Sequence, residues 1–341
     1  MKKCKTIGID LAKNTFYLIM LDQNGKQVGR KKLNRQQLMR YLVKLEACVV
    51  AMEACGTAHY WGRKISQLGH SVVLLPAQHV KGYLRGQKND YNDAKAIAEA
   101  CQHGAIRPVA IKSLKQQDEQ TFLCMRQHVS SDRTRLINHV RGLLAEYGVV
   151  LSRGKHVLRK ELPFILEDAE NGLTDEFREL LFRQYKQLER LDEELQWYDE
   201  KLAVKAKQEE TCQRLIEIPG IGPVVSVSLK AWMGDGQQFK RGRDASAALG
   251  LVPKQFSTGG RDVLLGITKR GNRQLRSLVV HGARAVVSRA KDKSDRLSQW
   301  IIRLVETRGF NKAVVALANK LIRISWVIIC RGEKYKAPVA I

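Results

Sequence analysis

The chain has 341 residues, with 59 Lys and Arg against 34 Asp and Glu, for a formal net charge of +25. A hydrophobic fraction of 44% and only 7 prolines exclude a disordered or fibrous protein, and the length accommodates two domains with ample core. A pI near 9.9 points to a polyanionic partner, because each Lys or Arg set against a phosphate releases condensed counterions.

In chain order, residues 5 to about 110 read as α/β. Thr6 to Asp10 is a short apolar run ending in an acid, and a second run, Thr15 to Leu21, is closed by the turn residues Asp22-Gln23-Asn24-Gly25. A helical stretch covers about 35–45, and Cys48 to Glu53 is another strand that ends in an acid. Ala58 to Leu68 is helical, Ser71 to Leu75 is a strand stopped by Pro76, and Ala94 to Ala100 is strongly helix-forming. Strands alternating with helices imply a mixed sheet with functional groups at strand ends.

The middle of the chain changes character. Phe177, Leu181, Gln184, Leu188, Leu191, Leu195, Tyr198 and Leu202 step by alternating 4 and 3 residues, a heptad seam with one polar interruption. Such a seam suits a coiled-coil arm that also dimerises the protein, with 116–144 as its antiparallel partner. The plainer alternative is a long helix packed within its own chain. Beyond Leu215 the sequence becomes Gly-punctuated and basic, and the expected partition is 1–110, 111–210 and 211–341.

Other classes fall away. The cysteines, 7 in all, contain no CxxC pair, so neither a disulfide framework nor a zinc ribbon is indicated. Met1-Lys2-Lys3-Cys4-Lys5 leads into a strand-like segment and not into a signal-peptide core. The best uncharged apolar run, Ile324 to Cys330, falls short of the ~18 residues of a membrane span. A reduced, cytoplasmic protein that meets nucleic acid, with no membrane partner, is the expectation.

Four carboxylates carry the chemistry. Asp10 and Glu53 each close a strand, while Asp90 and Asp93 sit three apart, which puts both on one face of a helix. Converging acids repel unless hard cations hold them. Mg²⁺ suits such a site, since it takes oxygen ligands and keeps substrate phosphates in its shell. Two Mg²⁺ ions, or Mn²⁺ in their place, would activate a nucleophile and stabilise the leaving oxygen of phosphoryl transfer. The plain alternative has Asp90 capping the helix, Asp93 neutralising its positive end, and the other two acids facing water.

Two further segments bear on function. Leu215 to Val224, with Ile218-Pro219-Gly220-Ile221-Gly222-Pro223, reads as a helix-hairpin-helix, in which Gly220 and Gly222 let backbone N–H groups approach a DNA phosphate. An ordinary structural turn is the alternative. Downstream, Phe256-Ser257-Thr258-Gly259-Gly260-Arg261 places hydroxyls on a glycine loop among Lys254, Arg261, Lys269, Arg270, Arg273 and Arg276. Residues 240–289 hold eleven Lys and Arg against Asp244 and Asp262. A serine there could attack a scissile phosphate while the cations stabilise developing charge.

The series Ile7-Gly8-Ile9-Asp10-Leu11-Ala12-Lys13, Met52-Glu53-Ala54-Cys55-Gly56-Thr57 and Lys88-Asn89-Asp90-Tyr91-Asn92-Asp93-Ala94 resembles the DEDD transposases of bacterial insertion sequences, relatives of the Piv DNA invertase. The resemblance spans essentially the whole chain. It implies an RNase H-like (RuvC-like) N-terminal domain whose four acids are Asp10, Glu53, Asp90 and Asp93, and a mainly helical C-terminal transposase domain with a serine nucleophile in the 257–260 loop. Family members often carry that serine directly before the glycine, where this chain has Thr258. Ser257 is the expected nucleophile, because a primary hydroxyl is less crowded. The resemblance further implies DNA ends and target as substrates, an element-encoded bridge RNA, and a homodimer or homotetramer.

Competing readings are a junction-resolving nuclease with an inert Ser257 and a non-catalytic nucleic-acid-binding protein. An actin-like ATPase is suggested by Gly8-Ile9-Asp10-Leu11, but no second phosphate loop accompanies it. His281-Gly282-Ala283-Arg284 with Tyr335 mimics a tyrosine recombinase, yet the apolar helical context suits a packed or phosphate-contacting His281.

Overall fold

Ile7, Ile9, Phe16, Leu18, Val50 and Met52 recur at the period of two that sends one set of side chains to a single sheet face, and all are buried. The computed structural model builds a five-stranded sheet from these segments. Residues 5–87, 89–104, 106–152, 154 and 156–337 are described, so Met1 to Cys4 and Lys88 of the third acidic motif lie outside the described residues. The chain divides into two compact units, Met1–Lys115 and Gln116–Ile341.

In the first unit, β1 (Thr6–Leu11), β2 (Thr15–Leu21), β3 (Gln27–Asn34), β4 (Val49–Glu53) and β5 (Ser71–Leu75) stand in the order β3-β2-β1-β4-β5. The first three form an antiparallel meander, and β4 and β5 run parallel to β1. The sequence reading has no strand at 27–34. Gln-Val-Gly-Arg-Lys-Lys-Leu-Asn is charged along an edge, a composition that blunts stray pairing, and only its ladder to β2 makes it a strand.

Helices α1 (Arg35–Val43) and α2 (Ala58–Ser66) cover one face, where Leu38, Leu42, Trp61 and Ile65 pack on Ile7, Ile9, Phe16 and Leu18. After the short α3 (Ala77–Val80), α4 (Asp90–Gln102) covers the other face, setting Ala94 and Ala98 against Ile19 and Leu21. Its Ala96, Ile97 and Ala100 meet Ala51 and Leu75. The mixed α/β sheet expected from the sequence is therefore present.

The second unit is mainly helical. Its long pair is α5 (Leu114–Glu146) and, after α6 (Val157–Glu167), α7 (Asp175–Gln208). Arg126 pairs with Asp199, and Arg133, seven residues on, pairs with Asp192, seven residues back, so the two helices run antiparallel. The heptad positions Phe177, Leu181 and Leu188 pack on Leu136, Ile137, Val140 and Leu144 of α5. Leu202 packs on Leu123. This seam is thus covered by the partner helix that the sequence suggested, within one chain.

The remaining helices are α8 (Glu210–Ile216), α9 (Pro223–Met233), α10 (Gly242–Ala248), α11 (Arg273–Ser288), α12 (Arg296–Arg308) and α13 (Phe310–Arg331), with β6 (Pro253–Gln255) and β7 (Leu264–Ile267) pairing as an antiparallel hairpin between α10 and α11. Residues of α8 to α13 share one core, centred on Leu229, Val279, Ala283, Leu317 and Leu321. By length and composition α13 alone among the described helices could cross a membrane, a longer apolar element than the Ile324 to Cys330 run suggests. Its Val314, Leu317, Ala318, Leu321 and Ile322 are buried in that core.

Candidate active site

Strand parity aims the two strand-end acids at α4. Gly8 and Asp10 share one face of β1, opposite to Ile7 and Ile9; Ala51 and Glu53 share the corresponding face of β4, opposite to Val50 and Met52. The parallel register pairs Gly8 with Ala51, so Asp10 and Glu53 emerge side by side, each two residues after a small one. That smallness admits the helix. A Cβ on Gly8 would stand 2.2 Å from the Ala94 carbonyl oxygen and 2.7 Å from the Ala98 nitrogen. Gly8 is thus a positioning residue, signalled in the sequence by the small-x-acid spacing at both strand ends.

The first turn of α4 supplies the other two acids. Asn89, not Asp90, caps the helix by accepting the Asn92 N–H at 2.9 Å, which leaves both aspartates free of the capping duty that the plain reading assigned to Asp90. Asp10, Asp90 and Asp93 each place a carboxylate oxygen within 4.8 Å of the others. Opposite ligands on an octahedral Mg²⁺-sized ion lie about 4.2 Å apart, so these three oxygens would close in by some tenths of an ångström to hold a hard divalent cation, and Glu53 stands outside the group. Burial, with the charges of Asp93, Asp90 and Glu53, pushes Asp10 from 3.8 up to about 6. Glu53 is also raised, by burial and by Asp93, while Lys81 opposes the rise. These groups are therefore in electrostatic contact and short of positive charge, the condition a bound cation relieves. Cys55 lies in the same field, its thiol pushed up by burial, Glu53 and Asp10.

In the second unit, Ser257 sits on the hairpin that joins β6 to β7. Thr258 and Arg261 pair across Gly259 and Gly260, whose φ values of +56° and +77° are those of a two-residue turn that glycine adopts without strain. Ser257 Oγ donates to Asp262 Oδ1 at 2.6 Å, and Gln255 Nε2 donates to Ser257 Oγ at 2.9 Å and to Asp262 at 3.3 Å. These bonds hold the Asp262 carboxyl below its ordinary range. Asp262 and Gln255 were missed as site residues, because only hairpin register brings 255, 257 and 262 together. Phe256, Val263, Leu264 and Leu265 are exposed around the hydroxyl.

The cations around this hairpin divide into two groups. Lys254, Arg261, Lys269, Arg270 and Arg273 are exposed. Arg276 is buried, and its guanidinium donates to the carbonyls of Leu249 at 3.0 Å and Arg270 at 2.6 Å, so it holds the 270 turn in place instead of facing solvent. Gly220 and Gly222 lie in the α8–α9 turn, Gly222 directly before α9. Gly220 has φ +89°, and a Cβ there would meet the Gly282 carbonyl oxygen at 2.9 Å; a Cβ on Gly282 would meet the Gly220 oxygen at 2.0 Å. Gly220 and Gly282 thus seat the turn on α11. His281 is exposed, whereas Tyr335 packs against the core of the unit, its hydroxyl raised by burial and Asp295.

Three carboxylates that could hold a divalent cation, one at a strand end and two on a helix, in a chain of this basicity, are what a metal-dependent enzyme of nucleic-acid phosphodiesters needs. Residues 7–149 match a DEDD-type family described as "Transposase", and residues 212–299 match "Transposase IS116/IS110/IS902 family". The chain is 44% identical to the transposase for insertion sequence element IS1111A of Coxiella burnetii, over 98% of this chain and 92% of the relative. It is 40% identical to a probable family 20 transposase of Pseudomonas aeruginosa (97% and 98% covered) and 37% identical to the transposase for IS1328 of Yersinia enterocolitica (98% and 99% covered). The chain belongs to the IS110/IS116 family of DEDD transposases, enzymes that cut and rejoin the DNA of insertion sequences.

Proposed function

We propose that this transposase breaks and reseals DNA through a covalent ester on Ser257, with Mg²⁺ held by Asp10, Glu53, Asp90 and Asp93. The observation that carries the serine is its 2.6 Å hydrogen bond to Asp262, a carboxylate kept ionised and aimed at the hydroxyl proton. Held by Asp10, Glu53, Asp90 and Asp93, a divalent cation would supply Lewis-acid neutralisation of phosphate charge. Asp262 accepts the Ser257 proton as Oγ bonds to phosphorus and the P–O bond to the adjoining nucleotide breaks, leaving that strand with a free hydroxyl once protonated. The serine–DNA ester conserves the bond energy, so a second strand's hydroxyl reverses the step and restores Ser257. Gln255 orients the pair, and Lys254, Arg261, Lys269, Arg270 and Arg273 hold the backbone by sequence-independent phosphate contacts.

The RuvC-like part of the enzyme spans about 1–110, the helical arm about 111–210 and the transposase domain 211–341. The sheet order and the acids at strand ends support the RNase H-like reading, and the turn on which Gly220 and Gly222 lie supports a helix-hairpin-helix against the DNA backbone. Two or four copies assemble. Phe182, Trp197 and Val204 lie exposed along one side of α7, apolar surface that a coiled-coil contact with another copy would cover. A bridge RNA encoded by the element pairs with donor and target DNA and selects them; its support is the family resemblance alone. The enzyme acts on DNA in the cytoplasm.

The test is a denaturing-gel trap with labelled element-end DNA, Mg²⁺ and RNA transcribed from the flanking non-coding sequence. An adduct lost in Ser257→Ala and in Asp10→Ala supports the reading. Loss only in Thr258→Ala moves the nucleophile by one residue. Nicked DNA without adduct, indifferent to Ser257→Ala, leaves a metal-dependent nuclease instead.

A further inference from the structure

A second site lies on the C-terminal core, between α10, α12 and α13. A cleft of about 640 Å³ is lined by Arg241, Arg243, Lys320 and Arg323 together with Trp300 and Trp326. This volume falls within the range of small-ligand pockets. Its shape follows from Gly242: a Cβ there would stand 3.1 Å from the Arg323 carbonyl oxygen and 3.3 Å from the Trp326 ring, so glycine lets the start of α10 close on α13.

The lining is both rigid and unbalanced in charge. Trp326 donates its indole N–H to the Gly236 carbonyl at 3.1 Å, which fixes the ring. Lys320 Nζ lies 4.7 Å from the Trp300 ring centre, bringing a cation to an aromatic wall. Arg241 reaches Asp244 at 3.3 Å. Among the described residues, no carboxylate pairs with Arg243, Lys320 or Arg323. Arg243, Lys320 and Arg323, gathered beside indole rings with no carboxylate partner among the described residues, lower their mutual repulsion by taking an anion. Aromatic walls in the same cleft favour an anion that carries a flat π-system. Both demands are met by a nucleotide whose base is out of a duplex.

We propose that this cleft binds an unpaired nucleotide of a polynucleotide strand, its base displacing the Lys320 ammonium from the Trp300 ring beside Trp326 and its flanking phosphates on Lys320, Arg243 and Arg323. A paired base presents only an edge to such a cleft, so the site distinguishes single strands from duplex. Nothing in it requires Ser257 or the acids, and its test is independent of theirs.

Fluorescence anisotropy of the full-length protein with short labelled oligo-dT, oligo-U and a duplex of equal length reads this out. Trp300→Leu should weaken single-strand binding roughly tenfold, the worth of one base–aromatic stack, with duplex affinity unchanged within about twofold. Arg243→Glu with Arg323→Glu, both exposed and without a carboxylate partner among the described residues, should weaken single-strand binding more than duplex binding and lower the single-strand salt slope by about 1.4, or ~0.7 per phosphate. Tighter binding of oligo-U than oligo-dT assigns the strand to RNA, and the reverse assigns it to DNA. Single-strand and duplex affinities falling in parallel under charge reversal, with Trp300→Leu silent, would overturn the proposal. Equal competition by a polyglutamate peptide would also overturn it.

Discussion

Removing one charge from the acid cluster should stabilise the metal-free protein. Asp10 rises from 3.8 to about 6 on folding, through burial and the neighbouring charges of Asp93, Asp90 and Glu53. A group whose folded value is raised binds its proton more tightly in the folded state. Its favourable contribution is therefore complete below about pH 4 and lost as pH rises through 6. The shift of about two units corresponds to ~3 kcal/mol, and because Asp10 is only partly buried, solvent screening reduces this to ~1–2 kcal/mol. Asp10→Asn deletes the penalty. In EDTA at pH 8 the β1 and α4 amides of the variant should exchange about 5–30-fold more slowly than those of the wild type, the rate equivalent of that free energy. Near pH 4 the difference should vanish. In Mg²⁺ the order should invert, since a cation at 100 times its dissociation constant adds about 2.7 kcal/mol to the protein that binds it. Hydrogen exchange read by mass spectrometry on those segments decides the matter, with intrinsic rates cancelling between the two proteins at each pH. Equal or faster exchange of Asp10→Asn in EDTA at pH 8 would refute the electrostatic argument. Equal protection of both proteins by Mg²⁺ would refute the metal site.

Gly8→Val should push α4 off the sheet, because its Cβ would start 2.2 Å from the Ala94 carbonyl; a loss of at least about 1–3 kcal/mol in urea titration is expected, together with loss of Mg²⁺ protection although all four acids remain. Gly282→Ala should cost about 1–3 kcal/mol by forcing the α8–α9 turn off α11, seen as an earlier thermal transition, with the acid cluster still responding to Mg²⁺. Asp262→Asn should slow formation of the serine–DNA adduct by roughly 10²–10⁴-fold in a time course, while the unfolding midpoint stays put, since the carboxylate is exposed. Unchanged adduct kinetics would remove Asp262 as the proton acceptor. Asp192→Ala should destabilise the α5–α7 pair by about 1–3 kcal/mol in the same urea assay, because it strips the partner from Arg133, whose side chain is only 15% exposed, as well as from Arg159.

Much of this protein is set by local chemistry and is therefore legible along the chain. Ile7 and Ile9 before Asp10, and Val50 and Met52 before Glu53, identify strands that end in acids, because period-two burial is a property of a few consecutive residues. The Asp90–Asp93 spacing places two carboxylates on one helical face for the same reason, and the heptad steps from Phe177 to Leu202 identify a long helix with one apolar seam. Other features depend on residues far apart in sequence. β3 is a strand only because β2 offers it a ladder, since its own Arg and Lys carry no apolar signal. The seam of α7 finds its cover in α5 of the same chain through pairs such as Arg133 with Asp192, a choice that heptad spacing leaves open. Arg276 looks like its exposed basic neighbours, yet the carbonyls of Leu249 and Arg270 draw it inside. Gly8 fixes the closeness of α4 to β1, and hairpin register delivers Asp262 to Ser257. The residues of the candidate chemistry are written in the sequence; tertiary packing decides which of them touch, because hydrogen bonds and carboxylate repulsion act over a few ångströms of space and not over positions in a chain.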